Sequence, residues 1–238
     1  MTIRQHACAL VLCALAFLLD QPFAFSAIPE GLSQHIREAY DRGETFRVVT
    51  FTTDGRWFIA TDKRTFMGGV PDGLGQQVRE AVDQGETFRV VTFTTDGRWF
   101  IATDKRAFMG GVPDGLGQQV REAVERGETF RVVTFTTNGG WFIATDKRTF
   151  MEGVPDGLGQ QVREAVERGE TFRVVTFTTN GGWCIATDKR TFMEGVPDGL
   201  GQQIRETYER GETFRVVTFT TDRDWFIATD RRVFAGTQ

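Results

Sequence analysis

Gly43-Glu-Thr-Phe-Arg-Val-Val-Thr-Phe-Thr-Thr-Asp-Gly-Arg-Trp-Phe-Ile-Ala-Thr-Asp-Lys-Arg64 decides how this chain is built. The stretch returns nearly unchanged at Gly85, Gly127, Gly169 and Gly211, each time 42 residues on. Before each copy stands a second conserved piece, clearest as Val70-Pro-Asp-Gly-Leu-Gly-Gln-Gln-Val-Arg-Glu-Ala-Val82. A fixed period of this size marks a repeat architecture and takes precedence over any local reading. Residues 28–237 therefore read as one repeat domain of five units, 28–69, 70–111, 112–153, 154–195 and 196–237, behind a leader at 1–27. A unit of 42 residues cannot bury enough apolar surface alone, so the core must be shared between neighbours.

The second unit shows the local logic. Leu74, Val78, Ala81 and Val82 fall on one helical stripe, with Gln76, Gln77, Arg79, Glu80 and Asp83 on the other faces. Asp72 stands where an N-cap would, and Gly85 suits the left-handed position past the helix end. A helix is expected over about 73–84. Thr87 to Thr95 is rich in strand formers, Asp96-Gly97 is a hairpin signal, and Trp99 to Thr103 is the returning strand. Ala107-Phe-Met109 follows a charged turn as a short third strand. Strict alternation places Phe88, Val90, Thr92 and Thr94 on one face and Arg89, Val91, Phe93 and Thr95 on the other. Both faces of the hairpin are apolar, so both must be covered, one by a helix and the other by a neighbouring unit.

The fold expected is an α/β tandem repeat of strand-strand-(short strand)-helix units, a propeller-like closed ring favoured over an open solenoid. The hairpin Val-Thr-Phe-Thr-Thr-Asp-Gly-Arg-Trp-Phe-Ile-Ala-Thr-Asp resembles the middle strands of β-propeller blades of the WD and TolB-like kinds. The trailing Thr-Phe-Met-Gly-Gly-Val-Pro-Asp resembles the outer strand and exit of blades in five-bladed, tachylectin-like lectins. That resemblance implies a binding protein with lectin-like sites. The helix departs from it, because those blades carry a fourth strand there. The end copies also differ from the middle ones: Ile36 with Tyr40, and Ile204 with Tyr208, replace a pair of valines. They would either cap an open array or meet where a ring closes.

The leader has the form of a secretory signal peptide. Arg4 precedes an apolar run from Ala7 to Leu19, and Ala24-Phe-Ser-Ala27 offers a cleavage site after Ser26 or Ala27. A secreted or periplasmic address is expected, without membrane attachment once the leader is removed. Of three cysteines only Cys184 lies beyond the leader, in place of a phenylalanine found in the other units, and it reads as a buried substitution. The formal net charge of −4 does not suit nucleic acid.

Catalytic material is scarce. Beyond the leader stand one histidine, His35, and one serine, Ser33, so no nucleophilic relay or His/Cys metal set can be assembled. His35 falls on the polar side of the first helix and reads as solvated. No cofactor is expected. Trp57, Trp99, Trp141, Trp183 and Trp225 follow the hairpin turns, where they would either stack on a sugar or a peptide or pack as core. Asp62, Asp104, Asp146, Asp188 and Asp230 recur in the second turn and complete the candidate ligand-binding set. The expected function is an exported, non-enzymatic repeat protein binding glycan or protein multivalently through these loops. The alternative is a protein-interaction scaffold without a small-molecule site, and the third reading is a hydrolase working through Asp or Glu.

Overall fold

The computed structural model describes residues 28–237; the leader lies outside the described residues. Unit 1 comprises α1 (Glu30–Asp41), β1 (Phe46–Phe51), β2 (Trp57–Thr61) and β3 (Thr65–Gly68). Unit 2 repeats this as α2 (Asp72–Asp83), β4 (Phe88–Phe93), β5 (Trp99–Thr103) and β6 (Ala107–Gly110). Unit 3 has α3 (Asp114–Glu125), β7 (Phe130–Phe135), β8 (Trp141–Thr145) and β9 (Thr149–Glu152). Unit 4 has α4 (Asp156–Glu167), β10 (Phe172–Phe177), β11 (Trp183–Thr187) and β12 (Thr191–Glu194). Unit 5 has α5 (Asp198–Glu209), β13 (Phe214–Phe219), β14 (Asp224–Thr229) and β15 (Val233–Thr237). The third strand is present in every unit, and each unit forms its own antiparallel three-stranded meander.

The helix boundaries shift slightly from those expected. Pro71 occupies the N-cap position and makes no side-chain cap, while Asp72 is the first helical residue. Its carboxylate still faces the positive end of the helix dipole. Gly85 adopts φ +63, its N–H reaches the Val82 carbonyl at 3.0 Å, and the Glu86 N–H reaches Ala81 at 2.9 Å. This double bond pattern closes the last turn and fixes the direction in which Glu86 leaves it.

Strict alternation fails on the first strand, and the reason is a bulge. Phe88 pairs with Thr103 and Val90 with Ala102, which leaves Arg89 as an extra residue. Phe88 therefore shares a face with Val91 and Phe93, not with Val90, and Arg89 stands out in solvent. The same shift occurs at Arg47, Arg131, Arg173 and Arg215.

Both faces of each sheet are covered, and by helices on both sides. One core contains Leu74, Val78 and Ala81 of α2 together with Phe88, Val91, Phe93 and Ile101 of its own sheet. It also contains Val48, Phe58 and Ala60 from the far face of unit 1. A helix is thus wedged between its own sheet and the preceding one. Phe58 meets Phe88 edge-on at 5.4 Å, and Phe100–Phe130 and Phe142–Phe172 repeat the contact at 5.2 and 5.4 Å.

The sheets are not joined into a ring: no strand pairs with a strand of another unit, and the propeller-like reading is not supported. What passes between units is side-chain packing, together with a hydrogen bond that the Thr50 hydroxyl donates to the Val91 carbonyl at 2.8 Å. β1 packs on β4, β4 on β7, β7 on β10, β10 on β13, and β13 packs on β1. A fifth core accordingly holds Leu32, Ile36, Phe46 and Ile59 of unit 1 with Val216, Phe226, Ala228 and Val233 of unit 5. Phe46 and Phe226 lie 5.8 Å apart, edge to face. Ile36 belongs to this core and Ile204 to the core between units 4 and 5, so the two variant helices do not meet.

The hairpin turn needs a left-handed residue at its third position. Gly97 supplies it at φ +87, with its N–H on the Thr94 carbonyl at 3.1 Å. In unit 5 that place is held by Arg223 at φ +70, the one non-glycine residue with positive φ among the described residues. Arg223→Gly should raise stability by about 1 kcal/mol, read as a higher Tm in calorimetry. An unchanged or lower Tm would contradict this strain assignment.

Candidate functional site

The side chains at the two ends of the sheets decide what the units offer to a ligand. At the end bearing the second turn, Glu86 enters the protein edge with its side chain only 1 % exposed. Its carboxylate receives the Arg106 guanidinium at 2.8 Å and the Thr103 hydroxyl at 2.8 Å. Arg106 in turn lies 5.1 Å from the centre of the Phe108 ring. The constellation recurs as Glu44–Arg64, Glu128–Arg148 and Glu170–Arg190 at 2.7 Å each, and as Glu212–Arg232. Charge-assisted bonds of this kind are the strong ones, and their burial makes them part of the framework. Sequence reading did not detect this set. Its signal was the Gly-Glu-Thr that opens each copy, with Thr-Asp-Lys-Arg a constant distance on.

The candidate aspartates of the same turn have a structural occupation. One Asp104 oxygen accepts the Thr87 N–H at 2.8 Å, and Asp62, Asp146, Asp188 and Asp230 do the same for Thr45, Thr129, Thr171 and Thr213. They tie the start of the first strand to the end of the second and remain exposed. The Thr129 N–H holds the Asp146 carboxyl below its ordinary pKa, helped by Lys147 at 3.8 Å.

The tryptophans lie at the opposite end and are not equivalent. Trp141, Trp183 and Trp225 are 5 %, 5 % and 7 % exposed, while Trp57 and Trp99 are half-buried. Trp141 and Trp183 donate their indole N–H to Glu152 and Glu194 at 3.1 Å. Units 1 and 2 have Gly68 and Gly110 there, and the indole lies over the glycine so closely that an added Cβ would sit 2.4 Å from Nε1.

His35 is not solvated as its helical position suggested. It stacks on Phe66 with ring centres 4.0 Å apart and an interplanar angle of 9°, with Trp57 at 5.5 Å and Glu38 at 3.8 Å. Ser33 is buried and donates to the Glu30 carbonyl at 2.7 Å. Cys184 is fully buried, and loss of hydration pushes its thiol up to about 12. It should resist alkylation by iodoacetamide at pH 8 in the folded protein and react on denaturation; rapid labelling of the native chain would overturn its placement.

Among the described residues, no group of three or more His, Cys, Asp or Glu is placed to hold a metal ion. No described helix is long and apolar enough to cross a membrane. No family model matches the chain, and no curated protein does. A solved structure, the extracellular domain of a putative one-component system from B. thetaiotaomicron, superposes with a TM-score of 0.35 at 10 % identity. The match covers 81 % of this chain and 30 % of that one. At that level it carries neither fold nor function across. The class defined here is a five-unit tandem repeat protein with shared inter-unit cores.

Proposed function

We propose that this chain is an exported, non-enzymatic binding protein that engages a glycan or protein ligand through contacts repeated from unit to unit. The observation that carries the reading is the repetition of solvent-facing side chains. Arg47, Arg89, Arg131, Arg173 and Arg215 are exposed at one position of the unit, and Tyr40, Val82, Val124, Val166 and Tyr208 at another. A ligand that touches one unit meets the same groups on the next, so weak contacts add through effective concentration. The absence of enzymatic activity is inferred from side chains already committed elsewhere: Ser33, His35, Cys184 and the turn aspartates all have structural partners or burial. The leader supports the secreted or periplasmic address. Neither nucleic acid nor membrane is proposed as a partner.

Burial of three tryptophans favours a second reading, a protein-interaction scaffold, because it removes three of five platforms on which a sugar ring would stack. A glycan array probed with the full chain separates the two. Signal that rises steeply with glycan density and is poorly competed by the monovalent sugar supports multivalent glycan binding. A silent array removes the glycan arm. Turnover on a hydrolase substrate panel that is lost on replacing an Asp or Glu would overturn the non-enzymatic reading.

A further inference from the structure

The five first strands carry one exposed arginine each, a unit-by-unit set separate from the one that the helices carry at Arg37, Arg79, Arg121, Arg163 and Arg205. Arg47, Arg89, Arg131, Arg173 and Arg215 each occupy the bulge at the start of β1, β4, β7, β10 and β13. All five are exposed. The other arginine at that end of the unit is engaged: Arg64, Arg106, Arg148, Arg190 and Arg232 are locked on buried glutamates. Arg131 feels the charge of Asp146, but that carboxylate already accepts the Thr129 N–H and faces Lys147.

Placement turns five arginines into one surface. The first strands pack on one another in sequence and β13 packs on β1, so they surround a common axis. Their shared register sets the five bulges at one height along it. Cα atoms of neighbouring first strands come within 8 Å of each other, and the Thr50 hydroxyl of β1 reaches the Val91 carbonyl of β4 at 2.8 Å, so the five strands lie on a narrow circle. Side chains of arginine length on that circle can converge on one small ligand, each presenting a planar fork suited to phosphate or sulfate oxygens. Arg173 borders a cleft of about 180 Å³ at the junction of units 4 and 5, whose wall also carries Lys189 and Arg190 beside the carboxylates of Asp188 and Glu212.

We propose that this end of the molecule binds a compact multivalent oxyanion, several phosphate or sulfate groups carried on one small scaffold, through Arg47, Arg89, Arg131, Arg173 and Arg215. The proposal rests on the multivalent reading above and names a ligand chemistry for it. A single polyanion can contact several of the five guanidinium groups at once, in competition with the exposed turn aspartates Asp62, Asp104, Asp146, Asp188 and Asp230 at the same end.

Isothermal titration of the full chain with inositol hexakisphosphate, sucrose octasulfate and inorganic phosphate tests it. The expected result is one hexakisphosphate per chain, bound at least about 100-fold more tightly than inorganic phosphate and weakened about 10-fold or more by raising salt from roughly 50 to 300 mM. Equal binding of the octasulfate assigns the site to oxyanions generally, and preference for the hexakisphosphate assigns it to phosphate. Arg131→Gln should weaken binding about 5-fold, Arg131→Lys less, and Arg89→Gln with Arg131→Gln and Arg173→Gln about 50-fold or more. If the triple variant does not fold, the two single variants carry the comparison. Arg56→Gln and Arg98→Gln, at the opposite end of the strands, should have no effect. No saturable binding, five independent weak sites per chain, or affinity that follows Arg56 and Arg98 instead would overturn the proposal. A silent glycan array leaves this site standing, whereas array binding that survives the arginine variants, together with unchanged hexakisphosphate affinity, sinks the site and not the multivalent reading.

Discussion

Replacing Phe100 by alanine should destabilise the protein by about 3–5 kcal/mol, seen as a lower midpoint in urea with little change in slope. The ring is completely buried. It is packed between Val90 and Ala102 of its own unit and Leu116, Val120 and Ala123 of the next helix, with the Phe130 ring edge-on. Removing it opens a cavity at an inter-unit core, where helix and sheet belong to different units and neither can close over the gap without shifting the other. A loss below about 1 kcal/mol would mean that the site collapses freely and that the units are not held by this wedge.

Glu128→Ala should cost about 2–3 kcal/mol, because it removes the close partner of Arg148 and leaves it only Glu122 at 3.8 Å. The Glu128 side chain is 5 % exposed and Arg148 23 %. The Thr145 hydroxyl, which donates to Glu128 at 2.8 Å, is left with the longer bond to the Arg148 carbonyl at 3.2 Å. Replacing Glu128 and Arg148 together by apolar residues of similar size should recover most of the loss, since no charge is then left buried alone. Equilibrium denaturation of the single and double variants measures this. A single-variant loss within about 0.5 kcal/mol would show the pair to be a surface contact of little consequence.

Much of this architecture was readable before any coordinates. The 42-residue period fixed the unit, and its apolar spacing identified the helix and the three strands, because local propensity and tertiary packing agree in every copy. The need to cover both sheet faces also followed from the hairpin composition. What could not be read depended on registers and partners distant in sequence. The bulge at Arg89 is invisible to an alternation rule, since it inserts one residue without altering composition. Its consequence, a row of exposed arginines on the inner strands, was lost with it. The covering of the second face by the next unit's helix, and the absence of strand pairing between units, follow from how α2 is wedged and not from any motif. The propeller resemblance rested on hairpin and turn chemistry that many repeat units share.

The candidate site was legible in part. The tryptophans were expected to be either core or platform, and three are buried while two are half-buried. The residue on the adjoining third strand does not by itself decide burial: Glu152 and Glu194 accept the indole N–H of the buried Trp141 and Trp183, whereas glycine lies beneath the half-buried Trp57 and Trp99 and the buried Trp225 alike. That pairing joins residues 11 positions apart across a hairpin, and only the observed register brings them together.

The central claim is that one kind of inter-unit core occurs five times, the fifth between the last unit and the first. A double-mutant cycle on Phe46 and Phe226, run beside one on Phe58 and Phe88, tests it most directly. The two ring pairs lie 5.8 and 5.4 Å apart in the same edge-on arrangement. Both cycles should give coupling energies of about 0.5–1.5 kcal/mol. Coupling between Phe58 and Phe88, with Phe46 and Phe226 additive to within about 0.3 kcal/mol, would separate the first unit from the last and contradict the account.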